Sequence, residues 1–186
     1  MSLRHAILAL LDVEPGSGYD LNTRFKRSVG FFWHASHQQV YKELHALLEA
    51  GLVECEEELQ SGKPARKVYE LTAEGERALD AWLAEEAAYL KIRDPLLVKV
   101  FAGKRLPPAA LAAELARHRA QHEKTLATYR ELDAMIAGLP PRRRARYVYP
   151  QQTLRMGIHY EQAWLAWCAE CVRDLGLATI VAGDEA

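Results

Sequence analysis

Cysteine is scarce in this chain. Cys55, Cys168 and Cys171 are the three in 186 residues, an odd number far too thin for a disulfide scaffold. A reducing, cytoplasmic setting is therefore expected. Long apolar runs are also missing: no window approaches the roughly 18 residues that a membrane span needs. The apolar start Leu3–Leu11 runs into Asp12 and Glu14, where a secretory signal would offer a small-residue cleavage site, so no export is expected. Charge of one sign is lacking too, with 24 Lys+Arg against 25 Asp+Glu and a formal net charge of −1. That excludes a broadly cationic nucleic-acid binder. Long disorder is excluded by 49% hydrophobic and 26% charged residues, an ordinary globular content.

What charge there is divides unevenly. Residues 1–91 carry 10 Lys+Arg against 15 Asp+Glu, a net of −5, and residues 92–186 carry 14 against 10, a net of +4. Two modules are expected, 1–91 and 92–186. In the first, Leu3–Leu11 reads as a mostly buried helix. The cluster Glu14-Pro15-Gly16-Ser17-Gly18 breaks the chain, and Tyr19–Val29 reads as a second helix. Ser36 suits the N-cap of a third helix that runs to Ala50, with Gly51 placed to end it. Two β-prone runs, Leu52–Leu59 and Arg66–Leu71, flank a Gly/Pro loop and predict a hairpin. Thr72 can cap a fourth helix carrying Leu79, Trp82, Leu83 and Leu90.

The second module reads as purely helical. A short piece, Leu96–Phe101, precedes a long helix from about Ala109 to Ala137, and a last helix follows Pro150. The long helix carries Leu111, Leu115, His118, His122, Thr125, Tyr129, Leu132, Ile136 and Leu139 at alternating steps of four and three. The last carries Leu154, Ile158, Glu161, Leu165, Cys168, Val172 and Leu175 at the same alternation, the spacing of a coiled-coil seam. The predicted fold is mainly α with a small β-hairpin: a winged helix-turn-helix domain followed by an antiparallel pair of long helices that serves dimerisation.

Three helices, a hairpin and a helix form the order in which a third helix enters the DNA major groove while the wing reaches along the backbone. The third helix is suitably two-sided. With Val40, Leu44 and Leu47 inward, Gln38, Gln39, Lys42 and Ala46 lie outward. Gln38 and Gln39 are expected to pair with adenine edges, and Lys42 to reach guanine or a phosphate. Lys63, Arg66 and Lys67 at the hairpin, with Arg24, Lys26 and Arg27 on the second helix, are expected to neutralise phosphates.

The run Ser36-His37-Gln38-Gln39-Val40-Tyr41-Lys42-Glu43-Leu44, followed by Leu47-Leu48-Glu49-Ala50-Gly51-Leu52-Val53, resembles the third helix of PadR-type transcriptional regulators. Gly18-Tyr19-Asp20-Leu21 resembles that family's helix-two opening, and Gly62–Gly75 its wing and fourth helix. The helical tail is similar to that of the larger PadR subfamily. The resemblance implies a homodimer on a palindromic operator in double-stranded DNA, usually a repressor released by a small molecule. It implies DNA contact at Tyr19, Ser36, Gln38, Gln39, Tyr41, Lys42, Lys63 and Arg66. The family often has Pro-Gly after the serine, and His37-Gln38 stands there instead. The helical wheel puts Tyr41 at the edge of the buried face, which favours phosphate contact through its hydroxyl.

Other features admit sharper readings. Trp167-Cys168-Ala169-Glu170-Cys171 resembles a thiol-disulfide oxidoreductase motif, but it lies deep in a helix without the βαβ context. Ordinary helix cysteines are expected. His118 and His122 share a helix face, and polar seam residues are expected rather than a metal site. Trp33, Tyr160 and Trp164 are candidates to line a pocket for a small aromatic or apolar effector, against plain packing as the alternative. No cofactor, catalytic residue or membrane partner is expected. Besides the oxidoreductase, the rival reading is a helical module that binds protein.

Overall fold

The computed structural model describes residues 3–33, 35–58, 66–88 and 93–177. The chain divides into two compact units, Met1–Ala88 and Tyr89–Ala186. The first holds α1 (Leu3–Val13), β1 (Gly16–Ser17), α2 (Gly18–Arg27), a 3-10 turn (Val29–Phe31) and α3 (His37–Glu49). It continues with β2 (Val53–Glu58), β3 (Arg66–Leu71) and α4 (Ala73–Leu83). The second holds α5 (Pro95–Phe101), α6 (Pro108–Ala137), α7 (Pro141–Arg144) and α8 (Val148–Asp174), with 3-10 turns before α6 and α8.

In the first unit Ile7, Leu8 and Leu11 of α1, Leu21 and Phe25 of α2, and Val40, Leu44 and Leu47 of α3 form one core. Burial of each such side chain removes it from water at about 1.5–3 kcal/mol. The three apolar residues of α3 recur at helical spacing and are essentially fully buried, so the helix is held by one face. At its end Gly51 takes φ +69° and Leu52 N–H donates to the Leu47 carbonyl, which satisfies a carbonyl the helix leaves open.

The predicted hairpin is a three-stranded antiparallel sheet in the order β1-β3-β2. Gly16 and Ser17 pair with Tyr69 and Val68, so the breaker cluster also supplies an edge strand. Two residues of β-structure leave no periodicity to read. The fourth helix stops at Leu83, short of the predicted Leu90, which lies outside the described residues. Its start is fixed by Thr72, whose hydroxyl accepts from Gly75 N–H at 3.1 Å.

In the second unit α6 and α8 run antiparallel. Asp133 meets Gln151, Tyr129 meets Gly157, and His122 meets Glu161, so one number falls as the other rises. Leu96, Leu111, Leu115, Trp164, Cys168 and Leu177 close the core at one end. The predicted seam misses Leu126 and Trp164, which are buried, and includes Leu175, which is 51% exposed. The last helix begins at Val148, before Pro150. Proline is tolerated there because first-turn amides have no partner within the helix. No helix among the described residues is long and apolar enough to cross a membrane.

Gly75 packs so closely that an added Cβ would stand 1.9 Å from the Leu52 carbonyl oxygen. Gly75→Ala is expected to lower stability by about 1–3 kcal/mol despite the better helix propensity of alanine. Denaturant unfolding of the full chain checks this, and an unchanged midpoint would refute the close contact.

Candidate nucleic-acid interface

α3 projects its second face outward. Gln38, Gln39 and Lys42 are exposed, as the helical wheel requires. The one acid in the middle of the helix, Glu43, is taken by Arg4 of α1 at 3.3 Å. The outer face is therefore polar and carries a cation with no competing carboxylate until Glu49.

Ser36 begins the helix with a capping box. Its Oγ accepts from Gln39 N–H at 3.2 Å, and Gln39 Oε1 accepts from Ser36 N–H at 2.8 Å. Bidentate pairing with adenine needs both the oxygen and the amide of a glutamine. In this arrangement one lone pair of the Gln39 oxygen caps the helix start, which sets Gln39 apart from Gln38. The pattern Ser-x-x-Gln is itself the signal for such a box.

Tyr41 lies where α3 meets α2. It is 39% exposed, packs at a tilt against His37 with ring centroids 4.5 Å apart, and lies so close to Gly18 that a Cβ there would stand 2.7 Å from the ring. Tyr19, next along α2, is 71% exposed. Ser17 caps α2 in a second capping box, with Asp20 as the reciprocal partner. Asp20 Oδ2 accepts from Ser17 N–H at 2.8 Å and from Ser17 O–H at 2.6 Å. The same oxygen accepts from Arg66 of β3. Burial alone would raise the Asp20 carboxyl, but the bonds from Ser17 and Arg66 outweigh it and hold its pKa below the ordinary value.

α2 thus joins the third helix to the base of the wing, and Tyr19, Tyr41 and Arg66 gather around its first turn. Ser17, Gly18 and Asp20, which do the joining, were not among the expected contact residues. The signal for them was Ser-x-x-Asp ahead of an apolar helix. Arg24 departs from its expected role: its guanidinium donates to the Glu14 and Pro15 carbonyls and braces the turn between α1 and α2. Lys26 and Arg27 are exposed. Lys63 lies outside the described residues.

The effector candidates separate. Trp33 packs against the core of the first unit. Tyr160 and Trp164 belong to the second, edge to face at 6.3 Å, and Trp164 also stacks on His122 at 5.0 Å. His122 Nδ1 pairs with the buried Glu161, and His118 is 4.0 Å from Glu114. His122 is thus engaged with a carboxylate in the seam, whereas Glu114 is held by Lys99 and Arg117. Nearby, burial and Glu161 push the Tyr129 hydroxyl up to about 12. The cysteine pair does not have the environment of a redox dithiol. Burial first, then Cys171, pushes the Cys168 thiol up; burial, Asp174 and Glu170 push Cys171 up. A reactive dithiol needs the opposite shift.

A winged helix with a polar, acid-poor third-helix face, followed by an antiparallel long-helix pair, defines the architecture of a two-unit transcriptional regulator. Residues 7–81 match the model of the PadR-like transcriptional regulator family, and residues 92–176 match that of the C-terminal domain of virulence activator alpha. The chain is 32% identical to the probable transcriptional regulator Rv1176c of Mycobacterium tuberculosis, over 94% of this chain and 98% of that protein. It is similar to the structure of the Vibrio cholerae virulence activator AphA (TM-score 0.72, 33% identity, 94% of this chain and 98% of that one). The fold is also that of Bacillus subtilis PadR, solved in complex with operator DNA (TM-score 0.76, 24% identity, 96% and 98% covered). The chain belongs to the PadR-like family of transcriptional regulators.

Cys168 is 1% exposed and is expected to resist an aromatic disulfide reagent at neutral pH until the protein is denatured. Mass mapping of the labelled residue checks this. Rapid labelling of Cys168 in the native chain would reinstate the dithiol reading.

Proposed function

We propose that this chain binds double-stranded DNA sequence-specifically as a homodimer, with α3 of each protomer in the major groove of one half of a palindromic site. The observation that carries this reading is the outer face of α3: Gln38, Tyr41 and Lys42 exposed on a helix whose opposite face is fully buried. Gln38 reads a base edge, Lys42 reaches guanine or phosphate, and Tyr19, Ser36, Tyr41 and Arg66 fix the module on the backbone. Gln39 supports the reading by shaping the helix start, and Lys63 supplies a wing charge. The operator complex described for Bacillus subtilis PadR supports duplex DNA as the ligand.

Surface that one chain leaves uncovered supports the homodimer. Tyr149, Met156 and Tyr160 of α8 are 85%, 66% and 38% exposed, at helical steps of seven and four. They lie roughly a third of a turn from the face that packs on α6. α5 adds Val98 and Phe101, 68% and 95% exposed. Such apolar surface is characteristic of an interface, and two heads at fixed spacing match two half-sites roughly one helical turn or a multiple apart. Occupying a site near a promoter blocks access without any further contact, so repression is the regulatory outcome proposed. A small aromatic or apolar effector meeting Tyr160 and Trp164 would release the DNA by favouring one arrangement of the heads over another.

Mobility shift with duplexes from upstream of the chain's own coding region, across salt concentrations, tests the reading. Gln38→Ala is expected to relax base preference at one position, at a cost of about 1–3 kcal/mol on the preferred site. Lys63→Ala is expected to weaken binding on all sequences and to reduce the salt slope by about one. Equal affinity of the unaltered chain for upstream and random duplexes would refute sequence-specific binding.

A further inference from the structure

The Asp20–Arg66 pair stands at an odd place for a carboxylate. It borders an open cleft of about 270 Å³ that Tyr19, Thr23 and Arg24 also line. Both side chains keep more than a third of their surface in water. A cation so placed is available to a phosphate, yet an acid of opposite sign is already attached to it. The cap and the positive end of the helix both favour an acid at that position, but neither requires it to engage the cation at the base of the wing.

We propose that Asp20 is a positioning residue that sets discrimination between operator and random DNA, by holding the Arg66 guanidinium in one orientation and by opposing phosphates that approach out of register. The inference rests on the DNA-binding reading above. A guanidinium has five N–H groups in a fixed fork, and Asp20 Oδ2 engages the Nη2 end. Arg66 keeps 39% of its side chain in water, so a phosphate in the correct register can meet a guanidinium that is already held at one end. A phosphate elsewhere along the duplex meets a pair of no net charge, and the Asp20 carboxylate adds repulsion. Because Ser17 holds the same oxygen with both its N–H and its O–H, the carboxylate cannot swing aside to relieve that repulsion. This fits the near-zero charge of the whole chain: non-specific attraction is kept low at the very surface that meets DNA.

Asp20→Asn separates the two roles, since its side-chain oxygen still accepts from Ser17 while the charge is lost. Full-length protein would be titrated with two probes: a duplex enriched from a random pool by the unaltered chain, and the unselected pool itself. The variant is expected to bind the unselected pool about five- to tenfold more tightly near 0.1 M salt, with a salt slope steeper by about one. Its affinity for the enriched duplex is expected to change less than twofold, so the ratio between probes falls by about fivefold. Asp20→Glu, which restores the charge, is expected to recover most of that ratio. In an Arg66→Ala background, Asp20→Asn is expected to lower the ratio by clearly less than in the unaltered background, because only the repulsion by the carboxylate is then left to remove. Circular dichroism and thermal unfolding establish that each variant is folded. An unchanged ratio in Asp20→Asn, or an equal fall with and without Arg66, would overturn the proposal. Failure of the unaltered chain to enrich any duplex would instead overturn the DNA-binding reading and this inference with it.

Discussion

The burial of one face of α3 is the constraint on which the rest depends. Val40, Leu44 and Leu47 are fixed in the core shared with α1 and α2, and a helix pinned on that side has its outer residues determined to within the width of a side chain. Gln38 and Lys42 are outward because Val40 and Leu44 are inward. Glu43 is kept off the outer face by Arg4 of α1. The same packing brings Tyr41 against Gly18 and so places the start of α2 beside α3. From there Ser17 and Asp20 carry the linkage to Arg66 at the wing. Third helix, second helix and wing base are thus joined through Tyr41, Gly18, Asp20 and Arg66.

Much of this was legible in the sequence. Helical periodicity is a strong signal where one face is buried, and it fixed α3, the pair α6 and α8, and the outer positions Gln38, Gln39 and Lys42. The caps at Ser36 and Thr72 were legible because a hydroxyl residue ahead of an amphipathic run has few other uses. The third strand was not, since Gly16 and Ser17 are recruited by β3 and have no pattern of their own. The last helix begins three residues ahead of the start expected after Pro150, because proline is a breaker only beyond the first turn. Trp164 escaped the seam because its ring reaches His122 from a flanking position. Periodicity describes backbone positions, and a large ring can bridge between stripes.

The assignment of chemistry was harder than the assignment of faces. Gln39 sits on the correct side, but its oxygen is used by the Ser36 backbone. Arg24 is a cation near the interface, but it spends its donors on two carbonyls. Asp20 has no assigned chemistry in the sequence and is the residue that holds Arg66. Composition counts each charge once, whereas a local field depends on which charges already have partners. The net charge of −1 for the whole chain is therefore an average that does not resolve any one face. In the second unit the same rule applies: His122 and Glu161 are polar seam residues that satisfy each other, which lets two long helices pack without leaving a buried polar group unpaired.

The central claim is that two copies of this chain act together, held by the helical unit, to present two third helices to one duplex. Sedimentation of the full chain with and without a short duplex enriched by it measures that directly. The account predicts a dimer in the absence of DNA and a complex of two chains per duplex. A monomer that binds one chain per duplex with full affinity would contradict it.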